Sequence, residues 1–316
     1  KEREGNGIVF IAINPDLYHE HKMKLRDKKS MKIKIGTRKS RLAVAQTNMF
    51  IERLTSFFPD AEPEIIYIST KGDKIIDKPL SQIGGKGIFV SEIELALQCG
   101  NIDVAVHSAK DLPAFLGENL EISGVLPRGN YRDVIVTQKG TQITDIKDFT
   151  VGTGSLRRRL NLKKIYNKVT FKDIRGNVDT RLSKLENGEY DAVILAASGL
   201  ERLEIKTENY SITAFDYMDF LPAPCQGIIA LESRKNDFIT PVIQKINDIN
   251  TFKAFETERC VIRTLNADCS MPVGAYSELC GGKITLTVSK DMNKILSGTA
   301  DISHNLELAK ELVLKL

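Results

Sequence analysis

Arginines follow two strands in the middle of the chain, each where the sequence predicts a turn into a helix. The first turn reads GTGSLRRR and contains Arg157 and Arg158, and the second reads RGNVDTR and contains Arg175 and Arg181. A helix N-terminus offers free backbone N–H groups and a positive dipole end, and a guanidinium can donate two parallel hydrogen bonds to a carboxylate or phosphate. These residue types at these positions therefore predict an anion-binding site.

Further basic side chains occupy equivalent positions elsewhere in the sequence. Arg202 comes just after a predicted strand at 191–196, and the turn GTRKSR near the start of the globular pattern contains Arg38 and Ser40. Because the carboxyl ends of the strands in an open α/β sheet line its ligand crevice, we expect these side chains to converge on one cleft. A single arginine is more often solvated than functional, but a set at matching positions favours a polyanion held between two domains.

A carboxylate is expected at the same cleft. The segment VHSAKDLP runs from a predicted buried strand directly into the polar residues Ser108, Lys110 and Asp111. The proline that follows opposes continuation as a helix, so the segment ends in a loop. One interpretation is that Asp111 only braces this loop. The other is an ionised carboxylate that stabilises a cationic intermediate or shuttles a proton.

Two loops add a lysine and a thiol. The sequence GGKG at 84–87 is not a P-loop, because the G-x-x-x-x-G-K-[ST] pattern is absent, and we expect a lid whose Lys86 reaches into the cleft. Cys269 lies in a predicted helix-to-strand loop, whereas the other four cysteines have more apolar or helical surroundings. A loop thiol can be reactive, so the residues alone leave both an inert and a covalent role open.

Composition restricts the class of protein. The chain has 316 residues, of which 42% are hydrophobic and 27% charged, and this is typical of a globular protein of two or three domains. It has no uninterrupted apolar run of ~18 residues, so no membrane span is expected. The net charge of +4 is too small to indicate nucleic acid. Widely spaced cysteines without C-x-x-C, and histidines without H-E-x-x-H, favour a reducing compartment and no metal.

The elements that must position these side chains alternate between strand and helix as far as residue 220. The last part is different, with one helix, three short strands and a closing helix. Linkers are expected in the segments near 126–131 and 220–227, which are rich in proline and glycine. The expected organisation is a disordered extension or targeting remnant at 1–31, a first α/β domain at 32–126 with 227–248, a second at 132–220, and an α+β domain at 249–316.

Taken together, the motifs resemble the porphobilinogen deaminase (hydroxymethylbilane synthase) family of tetrapyrrole biosynthesis. The resemblance runs from about Lys32 to the C-terminus and keeps order and spacing. It rests on the segments GTRKSRLAVAQ, GGKGIF, AVHSAKDLP, GTGSLRRR, RGNVDTRLSKLENGEYDAVILAASGLERL, LPAPCQG and DCSMPVGAY. The fold expected from it has two doubly wound α/β domains of the type II periplasmic-binding-protein kind, with the active cleft between them, and a small C-terminal α+β domain.

The resemblance also implies an activity. Family members are transferases that condense porphobilinogen molecules head to tail with loss of ammonia, then release the linear hydroxymethylbilane by hydrolysis. The primer is a dipyrromethane cofactor, which the resemblance places on Cys269 through a thioether. It identifies Asp111 with the aspartate that hydrogen-bonds pyrrole N–H groups and stabilises cationic intermediates. A full chain on its cofactor carries about a dozen carboxylates, which suits a cleft lined with guanidinium groups.

The family pattern divides the remaining candidate residues into two groups. Those implied to bind the cofactor are Ser108, Lys110, Thr153, Ser155, Arg157, Arg158, Arg175, Arg181 and Gln226. Those implied to bind substrate are Arg38, Ser40, Lys86 and Arg202. We expect a monomer that acts on porphobilinogen, without nucleic acid or membrane, in the cytoplasm or a plastid-type organelle.

The sequence departs from the family pattern at a few positions near these residues. Gly154 stands where serine is common, Asp179 where glycine is usual, and Arg41 where proline is frequent. The segment before the loop thiol reads Ala-Asp where Gly-Gly is common, which places Asp268 beside Cys269. A neighbouring negative charge should raise the pKa of the thiol and slow attachment of the cofactor.

Two other classes of protein share part of this pattern. A non-catalytic carboxylate-binding protein of the periplasmic kind would use the arginines but would not need Cys269 or Asp111. The intact mass distinguishes the two, because an enzyme of this family is heavier than its sequence by two pyrrole units. A nucleic-acid-binding protein is disfavoured by the small net charge and by the absence of basic motifs interleaved with aromatic residues.

Overall fold

The computed structural model describes residues 31–70, 90–141, 148–166, 168–268 and 270–316. Almost all of the expected extension at 1–31, the expected lid with Lys86, and Cys269 lie outside the described residues. Within the described ranges, no helix combines the length and the apolar composition needed to cross a bilayer.

Strands and helices alternate along most of the described chain, as predicted. In chain order they are β1 Met31–Thr37, α1 Arg41–Phe57, β2 Ala61–Tyr67, α2 Ser91–Gln98, β3 Val104–Ser108, β4 Leu120–Val125, β5 Asp133–Gln138, β6 Phe149–Gly152, α3 Leu156–Ile165, β7 Val169–Lys172, α4 Val178–Glu186, β8 Ala192–Ala196, α5 Ala197–Arg202, β9 Tyr210–Ala214, β10 Ile229–Arg234, α6 Ile239–Ile246, α7 Ile249–Leu265, β11 Gly274–Cys280, β12 Lys283–Ser289, β13 Leu296–Asp301 and α8 Asn305–Leu314. A one-turn 3-10 helix, Ala109–Asp111, follows β3.

The first sheet has the strand order β2-β1-β3-β10-β4. Strand β1 is parallel to β2 and β3, whereas β10 is antiparallel to β3 and β4. The alternation in β1 buries Ile33 and Ile35 against Phe50 and Leu54 of α1 and exposes the lysines between them. The sheet therefore holds the carboxyl ends of β1 and β3 side by side, where the first basic turn and the Asp111 segment begin.

The second sheet repeats this arrangement in the order β7-β6-β8-β5-β9. Strand β6 is parallel to β7 and β8, and β5 is antiparallel to β8 and β9. The inner antiparallel strand is β10 in the first sheet and β5 in the second. Each is the first strand that the chain forms after it has crossed from the other sheet. The predicted pair of doubly wound α/β units is confirmed, and the carboxyl ends of β6 and β7 carry the two arginine-bearing turns.

The two segments that connect the sheets pack against each other, and the second, at 220–227, is mostly buried, although their composition suggests ordinary linkers. The Gly129 N–H donates to the Gly227 carbonyl at 3.0 Å. Gly227 has a positive φ of 86°, and a Cβ there would lie 2.6 Å from the Gly129 oxygen, so only glycine fits this close approach. Leu221 and Gln226 are fully buried in the second crossing segment. Side-by-side crossings of this kind form a narrow double connection between the two sheets.

The small C-terminal unit packs α7 and α8 on the antiparallel sheet β11-β12-β13, which confirms the predicted α+β unit. It is fixed to the rest of the molecule by ion pairs and backbone contacts. Arg128 of the first crossing segment pairs with Glu258 of α7 at 2.6 Å. Arg259 of the same helix is buried and donates to the carbonyls of Leu112 and Ala114 at 3.1 and 2.9 Å. Helix α7 therefore braces the loop that follows Asp111.

Candidate active site

The Asp111 segment is held by its neighbours while its carboxylate stays accessible. Strand β3 ends at Ser108, and the 3-10 turn after it buries Ala109 and Leu112 on either side of Asp111. The aspartate itself is exposed. In the part of the chain that the structure describes, no group donates a hydrogen bond to its carboxylate. A fixed backbone with an accessible carboxylate suits a group that must accept hydrogen bonds from a ligand.

A cavity of about 90 Å³ lies beside this carboxylate, between β3 and the start of α1. Its polar lining includes Arg38, Ser40, Gln46, Ser108 and Asp111. Ser40 is the N-cap of α1, as predicted, and its hydroxyl accepts from the Ala43 N–H at 3.3 Å. The Gln46 amide donates to the Ser108 hydroxyl at 2.8 Å and so links α1 to the end of β3. The structure thus brings the first basic turn next to Asp111.

Lys110 connects this cavity to the crossing segments. Its ammonium donates to the Gln226 amide oxygen at 3.3 Å, and the Gln226 amide nitrogen donates to the Tyr131 carbonyl at 2.8 Å. Burial lowers the pKa of Lys110 to about 8; Asp111 opposes this effect, and Arg158 adds to it. Lys110 is therefore a cation that its surroundings do not fully compensate.

The first arginine-bearing turn is internally neutralised. Arg157 donates to the Asp133 carboxylate at 2.8 Å, and Arg158 donates to the other oxygen of the same carboxylate at 2.9 Å. All three residues are buried. The remaining guanidinium hydrogen bonds include one from Arg157 to the Leu221 carbonyl and one from Arg158 to the Ile194 carbonyl. These arginines therefore lie inside a buried ion cluster, which the sequence does not predict.

Asp133 remains ionised despite its complete burial. Burial by itself raises the pKa of this carboxyl group, but Arg157 and Arg158 outweigh it and hold the pKa at about 2. Ser155 caps α3 by accepting from the Arg158 N–H at 3.4 Å, and the buried Thr153 hydroxyl accepts from the Ser155 N–H at 3.2 Å. Thr153 and Ser155 thus shape the turn that presents the helix N-terminus.

The second arginine-bearing turn is more open. Asn177 caps α4 by accepting from the Thr180 N–H at 2.9 Å, and Arg181 donates to the Gly176 carbonyl at 2.9 Å. Arg175 and Arg181 are half-buried. Burial lowers the pKa of Arg181 to about 10; the positive charges of Arg158 and Arg175 add to this effect, and Asp111 opposes it. Asp111 and Arg158 influence the pKa of Arg181 and also that of Lys110, so these four side chains share one electrostatic environment.

Arg202 is the last residue of α5, and its side chain contacts the crossing segments. Its guanidinium donates to the Gly227 carbonyl at 2.5 Å, and burial lowers its pKa to about 10. A methyl group on Gly129 would come within 3.1 Å of the same guanidinium. The predicted substrate contact of this side chain stays a prediction, and its contacts in the structure are with the double connection between the sheets.

The structure thus brings part of the predicted set together around the cavity, namely Arg38, Ser40, Ser108 and Asp111. The other described members lie in the two arginine-bearing turns or contact the crossing segments. Two residues that sequence reasoning missed are Gln46, which links α1 to Ser108, and Asp133, which neutralises two arginines. Each had a signal in the sequence. Gln46 interrupts the buried face of α1, and Asp133 opens β5, whose next three residues are apolar. A polar residue in an apolar element needs a partner, which the sequence alone does not identify.

The donor groups at the cleft fit a ligand with several carboxylates. Lys110 and Arg181 are both cations whose pKa is lowered because burial removes solvent without supplying enough negative charge. Carboxylates placed beside them would restore that balance and form charge-assisted hydrogen bonds. A dipyrromethane that carries acetate and propionate groups has this chemistry, so the residues present fit the cofactor implied by the sequence.

Two family models match the chain. The model described as "Porphobilinogen deaminase, dipyromethane cofactor binding domain" matches residues 33–240, and the one described as "Porphobilinogen deaminase, C-terminal domain" matches residues 252–316. The first covers both α/β units except the first two residues of β1 and most of α6, and the second covers the C-terminal unit from within α7 onwards.

Curated relatives carry the same name. The "Probable porphobilinogen deaminase" of Picrophilus torridus is 44% identical over 248 residues, which are 78% of this chain and 86% of the relative. The "Porphobilinogen deaminase" of Acetivibrio thermocellus is 42% identical over 257 residues, or 81% and 87% of the two chains. That of Rickettsia typhi is 44% identical over 248 residues, or 78% and 83%.

Proposed function

The chain belongs to the porphobilinogen deaminase family, and from this premise we propose that the cleft around Asp111 is its active site. The activity is that of a transferase of tetrapyrrole biosynthesis, which condenses porphobilinogen with loss of ammonia onto a dipyrromethane primer and releases hydroxymethylbilane by hydrolysis. Asp111 is the catalytic carboxylate. The observation that carries this assignment is an accessible carboxylate, on a braced loop, that shares its electrostatic environment with Lys110 and Arg181.

The role of Asp111 is to stabilise positive charge that develops during the reaction. As ammonia leaves porphobilinogen, the ring and its exocyclic carbon become electron-poor, and an ionised carboxylate nearby stabilises that charge. The same carboxylate accepts a hydrogen bond from the pyrrole N–H, which orients the ring.

The basic side chains bind the acidic arms of the rings. Attached to the Cys269 sulfur, a dipyrromethane would supply a free pyrrole α-carbon as the nucleophile for the condensation. Lys110, Arg175 and Arg181 hold cofactor carboxylates, and Arg38 and Ser40 hold those of the incoming substrate. Arg157 and Arg158 act with Asp133 as the framework behind them, with Thr153 and Ser155 shaping the helix N-terminus. Gln226 positions Lys110.

The test combines intact mass with turnover. The parent protein should be heavier than its sequence by two pyrrole units, and Cys269→Ala should fold but keep the sequence mass. Cys280→Ala is the matched control, because it removes an exposed free thiol of the same C-terminal unit. A Cys269→Ala protein that keeps the added mass would overturn the attachment site.

The catalytic role is tested separately. Asp111→Asn preserves size but not charge, and we expect turnover to fall by roughly 100-fold or more, in line with the usual contribution of a positioned acid–base or charged group. Glu118→Gln, an exposed carboxylate beyond the same loop, is the control and should leave turnover unchanged. Full activity of Asp111→Asn would remove the carboxylate from the mechanism.

We also propose that the protein works as a monomer, without nucleic acid or membrane, in the cytoplasm or a plastid-type organelle. Support comes from the net charge of +4 and from cysteines that are free, two of them buried, as suits a reducing compartment. Light scattering at micromolar concentration and fractionation of the source cells test these points. A stable dimer, or recovery with the membrane fraction, would contradict them.

A further inference from the structure

Two of the departures from the family pattern contact each other. Arg41 is the first residue of α1, and Asp179 lies in the first turn of α4. The Arg41 guanidinium donates to the Asp179 carboxylate at 2.5 Å, although the two residues are 138 positions apart. Their side chains are 65% and 32% exposed. Because α1 packs on the first sheet and α4 on the second, this ion pair joins the two α/β units directly.

An apolar contact lies close to the ion pair. Leu42, the next residue of α1, approaches α5 of the second unit, since a methyl group on Gly199 would lie 3.9 Å from its side chain. Val178, the residue before Asp179, lies 3.7 Å from the same point. The start of α1 thus meets the second unit at a small interface with an apolar part and a charged part.

Electrostatics explain why a carboxylate is needed there. The N-termini of α1 and α4 both present the positive end of a helix dipole, and both bear arginines. The first turn of α1 contains no acidic residue, and Asp179 is the acidic residue of the first turn of α4. Asp179 therefore places a negative charge against Arg41 where two positive helix ends meet. Asp179 also compensates Arg41, which as a cation is unfavourable at the start of its own helix.

We infer that Arg41 and Asp179 are a pair of positioning residues that hold the two basic turns at a set separation across the mouth of the cleft. Arg41 directly follows Ser40, and Asp179 lies between Arg175 and Arg181, so a change in this contact changes the spacing of the carboxylate-binding groups. The pair lies outside the set assigned above to cofactor or substrate. The inference goes beyond the proposed function, because it concerns how the two units are held.

The expected effect is modest and sensitive to salt. Exposed ion pairs contribute little, so loss of this one should shift the exchange rates and the KM by only about 2- to 5-fold. Salt at about 1 M reduces the Debye length to about 3 Å and should reproduce much of that shift in the parent protein.

The experiment is a double-mutant cycle on the complete protein with its cofactor, using Arg41→Gln, Asp179→Asn and the double variant. The first readout is backbone hydrogen exchange at the starts of α1 and α4, which does not depend on activity. Each single variant should exchange about 2- to 5-fold faster at both helix starts, and the double variant should be no faster than the singles. Lys253→Gln, which breaks an exposed ion pair within α7, is the control and should change neither helix start.

The second readout separates positioning from general stability. Each single variant should raise the KM for porphobilinogen about 2- to 5-fold with little change in kcat, and the double variant should match the singles. Unchanged exchange at both helix starts, or effects that simply add in the double variant, would overturn the inference. Those results would leave the proposed function intact, since that rests on Asp111 and on the mass at Cys269.

Discussion

The two arginine-bearing turns of the second sheet have similar sequences and different environments. Each follows a strand, contains glycine and begins a helix with a side-chain cap; the first bears three arginines and the second two. In the first, Arg157 and Arg158 are buried against one carboxylate of Asp133. In the second, Arg175 and Arg181 are half-buried, and burial lowers the pKa of Arg181 without such a partner beside it.

This difference shows that an arginine motif does not by itself define a ligand site. A buried carboxylate converts one turn into framework, because the guanidinium groups then complete their hydrogen bonds within the protein. Among the described residues, no carboxylate accepts a hydrogen bond from Arg181 of the other turn, so its charge is less compensated. We therefore expect changes at the first turn to act mainly on stability and changes at the second to act mainly on binding.

The largest expected effect is at Asp133. Asp133→Asn would leave two buried guanidinium groups without their counter-ion, and removal of one partner from a buried ion pair costs about 3–5 kcal/mol. Urea-induced unfolding measures the free energy. Asp173→Asn is the control, since Asp173 pairs with Arg159 at 2.6 Å but is 61% exposed, and it should cost less than about 1 kcal/mol. Equal losses in the two variants would contradict the contrast between a framework turn and a binding turn.

The arginines themselves should separate binding from stability. Arg175→Leu should weaken retention of cofactor or binding of substrate by about 10- to 100-fold, the usual range for lost hydrogen bonds to a charged group, with little change in unfolding. Arg157→Leu should lower both the binding of cofactor or substrate and the stability to unfolding, because Asp133 and the Leu221 carbonyl each lose a donor. Calorimetric unfolding and KM for porphobilinogen are the measurements. If Arg175→Leu destabilised the fold and left binding intact, the turns would have the opposite roles.

Lys110, a cation whose charge its surroundings do not fully compensate, provides a test based on pH. Its pKa of about 8 means that the ammonium is charged below that pH and neutral above it. Carboxylate binding should therefore weaken as pH rises through about 8, which KM measured from pH 6.5 to 9.5 would show. In Lys110→Arg the guanidinium stays charged, so the rise of KM through about pH 8 should disappear. If the rise persists in that variant, it comes from the titration of another group.

The smallest expected effect is at Asp268, an acid that already has a local partner. Its carboxylate accepts from the Ser270 N–H at 2.8 Å and from the Ser270 hydroxyl. Asp268→Gly removes a negative charge next to Cys269 in sequence, so the apoprotein should load cofactor at least as fast as the parent, by up to a few-fold. A time course of intact mass measures loading. Ser270→Ala keeps the charge and should not accelerate it, and slower loading by Asp268→Gly would refute the argument.

Local sequence predicts an element well where its end signals are strong. The residue pattern predicts a helix at 178–186, and α4 has those bounds, because Asn177 caps its start and Gly188 follows its end. The pattern also predicts a strand at 64–70, but β2 lies at Ala61–Tyr67, with Pro63 inside it. A proline is tolerated there because, among the described strands, β2 pairs only with β1 and lies at the edge of its sheet. Edge position is a tertiary property, so the residue pattern alone placed the strand too late.

The order and spacing of the motifs determined the family, the fold class and the kind of ligand, because these depend on residue types and their periodicity. The tertiary structure decided which charges remain available to a ligand. Asp133 meets Arg157 from 24 positions away, and Arg41 meets Asp179 from 138 positions away. Coulomb energy depends on distance in space and on burial rather than on separation along the chain. Two turns of similar sequence could therefore be told apart only after the chain had folded around them.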